Sequence, residues 1–315
     1  MSETDPTLPV VVIVGPTGIG KTALSLALAE RHPVEIVSAD SRQVYRYLDI
    51  GTAKPTPAER EAAPHHFIDI RDPDDFYSAG QYMQEARAAI GEIRNRGARP
   101  VVVGGSGLYV RALLQGFFQE DVRDGGIRDE LRGRLERDGA EALHAELYAL
   151  DPEAAARIHP NNTPRLIRAL EVSLAAGRPI SELQAEKRDP APFPWKMFGL
   201  IMDREQLNRR INRRVREMIE LGLVAEVEGV LARGFPPDLN ALNSVGYAEV
   251  IAHLNGEYDL ARCIEQIKRN SRRYAKRQLT WFRREPDIRW LDMDAGPEAA
   301  LAVIEREAFP APERP

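Results

Sequence analysis

Short segments rich in valine and isoleucine alternate with longer amphipathic segments in the first third of the chain. The first, Pro9–Val14, shows no alternation of apolar and polar residues, which is typical of a strand buried on both faces of a parallel sheet. Val34–Ser38 and Pro100–Val103 predict two further strands. The segments between them, residues 22–32 and 78–96, carry apolar residues at helical spacing. Strands and helices in this order predict a doubly wound parallel α/β fold.

A different pattern begins after Gly116. Residues 118–195 are rich in arginine and glutamate and end in a proline-rich connector. Their periodicity predicts helices at 127–138, 140–149 and 164–176. A strand is then predicted at Lys196–Met202, followed by helices at 204–221, 224–233, 244–254 and 259–282 and a short helix after Asp294. We therefore expect a P-loop NTPase-like core formed by residues 1–117 and 196–315, with an all-helical insertion at 118–195.

The composition excludes several classes of protein. With 43% hydrophobic and 29% charged residues, the 315-residue chain has an ordinary globular composition. No stretch approaches the roughly 20 apolar residues that span a bilayer, and the polar N-terminus is unlike a signal peptide. The single cysteine, Cys263, excludes intramolecular disulfides and cysteine-based zinc sites. These features predict a cytoplasmic protein that does not bind membranes, and nothing in the sequence demands more than a monomer.

Charge is distributed unevenly along the chain. The formal net charge is −5, which by itself argues against nucleic-acid binding. The segment from Lys268 to Arg284, however, holds eight basic residues and no acidic one. A local cluster is a better guide to polyanion binding than the net charge, so this segment predicts a nucleic-acid contact.

The strongest motif is GPTGIGKT, which fits the phosphate-binding pattern GxxxxGK[ST] and lies between a predicted strand and a predicted helix. Its glycines let backbone N–H groups converge on phosphate oxygens, and the following helix adds its positive N-terminal dipole. The lysine is expected to reach the outer phosphate and the last hydroxyl to hold Mg²⁺. The candidate diphosphate-binding residues are Gly15, Pro16, Thr17, Gly18, Ile19, Gly20, Lys21 and Thr22, with Thr22 as the metal ligand.

The acidic residue that usually accompanies such a loop is displaced. The third predicted strand ends in GGSG, where an ordinary P-loop NTPase has an aspartate. Asp40 follows the second strand instead, at the edge where α/β sheets bind ligands. On local sequence Asp40 is a metal ligand, a general base, or only the cap of the next turn.

Several further motifs carry a family resemblance. GPTGIGKT, SADSRQVYRYLDIGTAKPT, APHHFIDI, GGSGLYVRALLQG, DPEAAARIHPNNTPRLIRALEV, SVGYAEV and KRQLTWFRR occur in this order. Together they resemble the bacterial-type tRNA dimethylallyltransferases, also called tRNA isopentenyltransferases, from about Val10 to Leu291. Ser106 stands where that family usually has threonine, and the C-terminus has no cysteine/histidine zinc module.

The resemblance implies transfer of a dimethylallyl group from dimethylallyl diphosphate to N6 of adenosine 37 in tRNA, with Mg²⁺ as cofactor. It implies Asp40 as the base for the amine and the P-loop as the site of the leaving diphosphate. Lys21 and an arginine are expected to stabilise that leaving group. Arg210 and Arg214 share a helix face at i, i+4 spacing, and we favour Arg214 for catalysis. Thr17 is expected to contact either the diphosphate or the reacting amine.

The resemblance also implies the RNA-binding residues. The target base must leave the anticodon loop to expose N6, and the insertion is expected to clamp the anticodon stem. Tyr274 and Trp281 are interpreted as packing residues, and His65 as structural. The expected tRNA-binding residues are Asp40, Ser41, Arg42, Gln43, Ser106, Pro164, Arg165, Arg168, Ser244, Val245, Gly246, Tyr247, Arg272, Arg273, Lys276 and Arg277.

Two other functions remain open on the sequence. A small-molecule kinase or NTPase would explain the P-loop but would leave the basic segment and DSRQVY without a role. A non-catalytic RNA-binding protein would explain the basic residues but not an intact Lys21 and Thr22 with Asp40 nearby.

Overall fold

The structure is a computed structural model that describes residues 8–116, 125–185 and 189–309. Parts of the predicted insertion, at 117–124 and 186–188, lie outside the described residues, as do the N-terminal residues 1–7 and the C-terminal residues 310–315. The chain divides into two compact units, one made of residues 1–114 with 191–315 and the other of residues 115–190.

The first unit is built on a sheet of six parallel strands, in the order β3-β2-β4-β1-β5-β6. The strands are β1 (Val10–Val14), β2 (Val34–Ser38), β3 (His65–His66), β4 (Arg99–Gly104), β5 (Trp195–Ile201) and β6 (Ile288–Asp292). All five residues of β1 are buried, and β4 and β5 flank this strand in the sheet. The α/β fold expected from the sequence is confirmed.

The strand ends are aligned at one edge of the sheet. Val14 at the end of β1 is in register with Gly104 at the end of β4, and Ser38 at the end of β2 is in register with Val103. The next residue after β2, Ala39, donates its N–H to the carbonyl of Val103 at 2.8 Å. The loops after β1, β2 and β4 therefore begin side by side, where parallel sheets place ligands.

The helices of this unit lie mostly where periodicity predicts them. Ser78, Asp203 and Asp259 each cap a helix by accepting a backbone N–H from its first turn. The helices are α1 (Lys21–Ala29), α2 (Pro57–Ala62), α3 (Ala79–Asn95), α4 (Gly107–Gln115), α9 (Arg204–Glu220), α10 (Leu223–Ala232), α11 (Tyr247–Leu254), α12 (Leu260–Phe282) and α13 (Pro297–Ala308). The helix predicted to start at residue 244 starts at Tyr247, because Gly246 has a φ of 102° and interrupts the helical backbone.

The second unit is helical in its described residues. It contains α5 (Gly125–Leu150), α6 (Pro152–Arg157), α7 (Thr163–Ala176) and α8 (Ile180–Ala185). Gly139, with φ 82° and ψ 169°, divides α5 at the place where the sequence predicts a boundary between two helices. Leu143, Leu147 and Leu170 lie in its apolar core. Among all the described residues, none of the helices combines the length and hydrophobicity that a bilayer span needs.

Gly104 is predicted to be irreplaceable at the end of β4. A Cβ atom there would lie 2.1 Å from the backbone oxygen of Ala39, which is held by the sheet and cannot withdraw. We expect Gly104→Ala to lower the free energy of unfolding by at least about 3 kcal/mol, at the upper end of overpacking costs. The matched control is Gly91→Ala in α3, where a Cβ would meet no atom of the described residues within 4 Å. This change should stabilise the protein by up to about 1 kcal/mol. Urea unfolding measures both, and equal stabilities of the two variants would contradict the packing argument.

Candidate active site

A cavity of about 1000 Å³ opens at the aligned strand ends. Its walls include the loop after β1, the loop after β2 and the end of β4, together with side chains from α9 and α12. Two helices from the C-terminal part of the chain thus close a site that the N-terminal strands begin. Asp40 and Arg214, which are far apart in sequence, line this cavity together with part of the P-loop: Thr17, Gly18, Gly20, Lys21 and Thr22. The other predicted diphosphate-binding residues of the loop, Gly15, Pro16 and Ile19, are not among the lining residues.

The P-loop has the backbone that anion binding requires. Gly18 and Gly20 have φ angles of 79° and 107°, which favour glycine. A Cβ on Gly18 would also lie 3.1 Å from the Ile211 side chain of α9. Ile19 is fully buried and anchors the loop in the core. Helix α1 begins at Lys21 without a side-chain cap among the described residues, so its first-turn amides and its positive dipole end face the cavity.

Lys21 is held by the loop itself. Its Nζ donates to the carbonyl oxygens of Gly15 and Pro16, each at 3.0 Å. Burial lowers the pKa of Lys21 to about 8, while the nearby Asp40 opposes that shift and Arg214 adds to it. The ammonium therefore lacks a full countercharge, which favours an anionic ligand beside it.

Two arginines of α9 lie against the P-loop. Nη1 of Arg214 is 3.4 Å from the hydroxyl of Thr17. Burial lowers the pKa of Arg214, and Asp40 is the main group that opposes this shift. Nη2 of Arg210 lies 3.4 Å from the position that a Cβ on Gly20 would take. The helix face predicted for diphosphate binding is thus next to the loop, and the diphosphate roles of these arginines stay a prediction.

Asp40 both caps a turn and lines the cavity. Its Oδ1 accepts the backbone N–H groups of Arg42 at 2.8 Å and Gln43 at 3.4 Å. The other carboxylate oxygen has no hydrogen-bond partner among the described residues. Asp40 therefore caps the turn, and its second oxygen stays available for the general-base role, which remains a prediction.

The rest of the DSRQ segment is fixed by polar contacts. The hydroxyl of Ser106 accepts the N–H of Ser41 at 2.9 Å, which gives this residue a structural contact to the loop. Arg42 donates to the carbonyl of Asn240 at 2.6 Å. The side-chain oxygen of Gln43 accepts from the Ser38 hydroxyl at 3.1 Å. Its NH₂ group donates to the backbone carbonyl oxygens of Thr52 and Ala53. Ser41, Arg42 and Gln43 line the cavity.

Glu226 organises the neighbouring loop of residues 49–51. Its carboxylate accepts the backbone N–H groups of Asp49, Ile50 and Gly51 at 2.7–3.1 Å. It also accepts the phenol of Tyr247 at 2.6 Å. Tyr247 is fully buried, and burial together with Glu226 raises its pKa, so the phenol stays protonated as a donor. Tyr247 is thus a support of the cavity wall, whereas Ser244, Val245 and Gly246 line the cavity itself.

The basic helix α12 presents only part of its charge to the cavity. Arg273 and Arg277 line it, together with Tyr274 and Gln278. Arg272 donates to Asn212 of α9, and Lys276 is exposed but is not among the cavity residues. Tyr274, interpreted from sequence as a packing residue, therefore lies at the site. Trp281 packs against Gly107 and under Arg111, as expected for a packing residue.

The predicted RNA-binding residues of the helical unit lie on α7. Pro164 and Arg165, in its first turn, are exposed. Arg168 is 3.2 Å from the carboxylate of Glu171, which is 1% exposed. Arg165 is therefore available to a polyanion, and Arg168 has a structural ion pair as well.

A metal ion would depend on the substrate for most of its ligands. The described residues contain no group of three or more His, Cys, Asp or Glu side chains that could hold one. Thr22 lines the cavity in the first turn of α1, where its hydroxyl fits a Mg²⁺ bound mainly through phosphate oxygens and water. The donor set therefore fits Mg²⁺ only together with a phosphorylated ligand.

Two residues of the site, Gln278 and Glu226, escape the sequence analysis, and a third, His65, is interpreted there only as a structural residue. Gln278 donates to the carbonyl of Gly105 and accepts the N–H of Thr17. Glu226 supports the loop described above. His65 lines the cavity, with Nδ1 at 2.7 Å from the Ala63 carbonyl and a pKa lowered by burial. Isolated polar residues in helices or loops carry no local signal, although KRQLTW singles out the segment that holds Gln278.

Comparison with known proteins gives a consistent result. The model of the IPP transferase family matches residues 43–285. This chain belongs to that family. The tRNA dimethylallyltransferase of Geobacter metallireducens is 47% identical over 295 residues, covering 93% of this chain and 96% of that protein. The enzyme of the same name from Bacillus subtilis is 45% identical over 302 residues, covering 96% and 95%. The resemblance inferred from the motifs is confirmed.

Solved structures of the family share the fold. The tRNA isopentenylpyrophosphate transferase from Bacillus halodurans superposes with a TM-score of 0.70 at 43% identity, covering 96% of this chain and 97% of that chain. A eukaryotic dimethylallyltransferase, described as acting on tRNA, gives a TM-score of 0.77 at 28% identity, covering 98% and 81%. The family and the fold are thus supported by sequence and structure together.

Glu226 is predicted to hold the 49–51 loop in place. Glu226→Gln keeps the shape but replaces one acceptor oxygen with an NH₂ group, which cannot accept these N–H and O–H donors. We expect the free energy of unfolding to fall by roughly 2–4 kcal/mol and amide exchange at 49–51 to accelerate. Glu228→Gln, an exposed change on the same helix, should stay within about 0.5 kcal/mol of the unchanged protein. Unaltered exchange at 49–51 in Glu226→Gln would contradict this role.

Proposed function

We propose that this protein transfers a dimethylallyl group from dimethylallyl diphosphate to N6 of adenosine 37 in tRNA. The proposal rests mainly on the cavity. Its wall holds two buried cations at the P-loop, Lys21 and Arg214, and the carboxylate of Asp40. A phosphate-binding loop and a carboxylate base are the two elements that such a transfer needs. Membership of the IPP transferase family supports the same reaction.

The reaction forms one bond and breaks one. The N6 amine of the adenine attacks the first carbon of the dimethylallyl group, and the bond from that carbon to the diphosphate oxygen breaks. The bonding pair leaves with the diphosphate, and the amine loses one proton to Oδ2 of Asp40. An amine conjugated to a purine is a weak nucleophile, so a positioned base contributes to the rate.

The leaving group gathers negative charge as the bond breaks. Lys21, Arg214 and the amides at the start of α1 are fixed around the loop and stabilise that charge without reorganising. Thr22 would hold Mg²⁺, which supplies further positive charge to the diphosphate when it is bound. Arg210 and the loop residues Gly15 to Gly20 complete this donor site.

The acceptor side of the cavity is formed by Ser41, Arg42 and Gln43 with Ser244 and Gly246. These residues read the displaced base by its edges, since a base inside a stacked loop does not expose N6. Arg273 and Arg277 of the cavity wall take RNA phosphates. The helical unit offers Arg165 as a further phosphate contact and acts as the clamp on the anticodon stem. We propose that the enzyme works as a monomer in the cytoplasm.

A kinase is the main alternative, and the end of β4 argues against it. A P-loop phosphotransferase places an acidic residue there to hold the metal. Here Gly104 and Gly105 occupy the position, and Gly104 has no room for a side chain.

Incubation with labelled dimethylallyl diphosphate, Mg²⁺ and unmodified tRNA tests the function. We expect label in RNA at N6 of adenosine 37 and release of diphosphate, with no competition from ATP at equal concentration. Absence of label in the RNA together with rapid ATP hydrolysis would contradict the proposal and favour the kinase hypothesis.

Asp40→Asn separates the two roles of Asp40. Asparagine keeps the Oδ1 acceptor for Arg42 and Gln43 but removes the basic oxygen. We expect kcat to fall by about 10²- to 10⁴-fold with the tRNA dissociation constant within about threefold. Asp40→Ala loses the cap as well, so it should also weaken tRNA binding. Single-turnover rates and filter binding measure both variants, and an active Asp40→Asn would remove the general-base role.

The lowered pKa of Lys21 predicts an upper pH limit for the productive binding of dimethylallyl diphosphate. Its pKa is lowered to about 8 in the ligand-free protein, so its positive charge is present below that pH and is lost as the pH rises through it. We expect kcat/KM for dimethylallyl diphosphate to fall above about pH 8. The corresponding fall in kcat should occur at higher pH, because bound diphosphate stabilises the ammonium form of Lys21. Measurement of kcat and kcat/KM from about pH 6.5 to pH 10 checks this prediction. A kcat/KM that does not change over this range would contradict it.

A further inference from the structure

Gln278 connects two loops of the active site through one buried side chain. Its Oε1 accepts the backbone N–H of Thr17 in the P-loop at 2.9 Å. Its Nε2 donates to the carbonyl of Gly105, just after β4, at 3.0 Å. The residue is only 6% exposed, so both bonds are shielded from water. A buried amide used at both ends fixes the two backbones relative to each other.

The fit around this amide is close. A Cβ on Gly105 would lie 2.2 Å from Nε2 of Gln278, so a glycine at this position makes the contact possible. Thr17 offers a donor to the amide and Gly105 offers an acceptor, so the oxygen and nitrogen ends of the amide cannot exchange places. The side chain therefore has a single place and a single orientation.

The bond to Thr17 changes what the P-loop can offer. In a phosphate loop the backbone N–H groups point at phosphate oxygens, but the N–H of Thr17 is committed to Gln278. The side chain of the same residue lies next to Arg214, whose Nη1 is 3.4 Å from the Thr17 hydroxyl. In the proposed reaction Arg214 stabilises the leaving diphosphate, and Thr17 contacts either the diphosphate or the reacting amine.

The helix that carries Gln278 also carries the basic residues of the cavity wall. Arg277 is the preceding residue, and Arg273 lies little more than one turn earlier. A shift of α12 on RNA binding would act directly on the P-loop through Gln278. The same side chain therefore joins the RNA side and the donor side of the cavity.

We propose that Gln278 is a positioning residue that aligns Thr17 and the donor loop with the acceptor held by α12. This inference rests on the proposed transfer reaction. It predicts that loss of the amide lowers the rate of transfer from the bound state and leaves the binding of tRNA nearly unchanged.

Gln278→Met and Gln278→Glu test this role. Methionine fills the space without either hydrogen bond, and we expect kcat to fall roughly 10- to 100-fold with the tRNA dissociation constant within about twofold. Glutamate in its neutral form keeps both bonds, whereas its anion turns an oxygen toward the Gly105 carbonyl. The activity of Gln278→Glu relative to the unchanged enzyme should therefore rise as the pH falls from about 9 to about 6.

Thr280→Val on the same helix is the control, because within the described part of the chain its hydroxyl bonds only to the Lys276 carbonyl of α12. It should keep the unchanged enzyme's kcat and pH profile. An unaltered kcat in Gln278→Met would overturn the positioning role, and so would a Gln278→Glu that is as inactive as Gln278→Met at every pH. If the unchanged enzyme itself transfers no label, the proposed function fails instead, so the two failures are distinguishable.

Discussion

Lys21 and Arg214 are two cations held in one cavity, and burial disfavours the charge of both. Burial lowers the pKa of each, and the charge of Arg214 lowers that of Lys21 further. Asp40 opposes both shifts, but one carboxylate cannot neutralise two cations and also remain a free base. An anion with at least two negative charges resolves the conflict, because it supplies the missing countercharge and leaves Asp40 to the acceptor. The arrangement thus favours a diphosphate in the cavity before the chemistry begins.

The fold produces this arrangement by joining distant parts of the chain. The parallel sheet brings the P-loop, Asp40 and Gly104 to one edge, since all strands point the same way. The helices α9 and α12, which pack against each other, then add Arg214 and Gln278 from the C-terminal part. Glycines at the contact points let backbones and side chains approach closely. Chemistry and packing are therefore linked, because the contacts that close the core also position the reacting groups.

Local sequence signals predict β1, β2, β4, β5, the P-loop and most helices, but not the two edge strands β3 and β6. The β-branched runs of β1 and β4 strongly favour buried strands. Asp203 and Asp259 cap the first turns of α9 and α12 and so mark where these helices begin. Local signals fail where contacts with distant parts of the chain determine the structure. Strand β6, with the sequence IRWLD, is apolar only in part and needs β5 beside it to form. Gln278 and Glu226 act through backbone groups 261 and 175–177 positions away, which no local pattern encodes. Asp40 is the intermediate case, since the sequence leaves a metal ligand, a general base and a cap as alternatives, and the geometry shows the cap while leaving one oxygen available.

The central claim is that the P-loop holds the diphosphate as a leaving group and not as a phosphoryl donor. The most direct test follows the oxygen that joins the dimethylallyl carbon to the first phosphorus. Dimethylallyl diphosphate carrying a heavy-oxygen label between carbon and phosphorus would be turned over with tRNA, and the products analysed by mass spectrometry. Cleavage of the carbon–oxygen bond places all of the label in the released diphosphate and none in the RNA, which is the result expected here. Label recovered in dimethylallyl alcohol or in a dimethylallyl monophosphate, with phosphate on an acceptor, would show phosphorus–oxygen cleavage and contradict it.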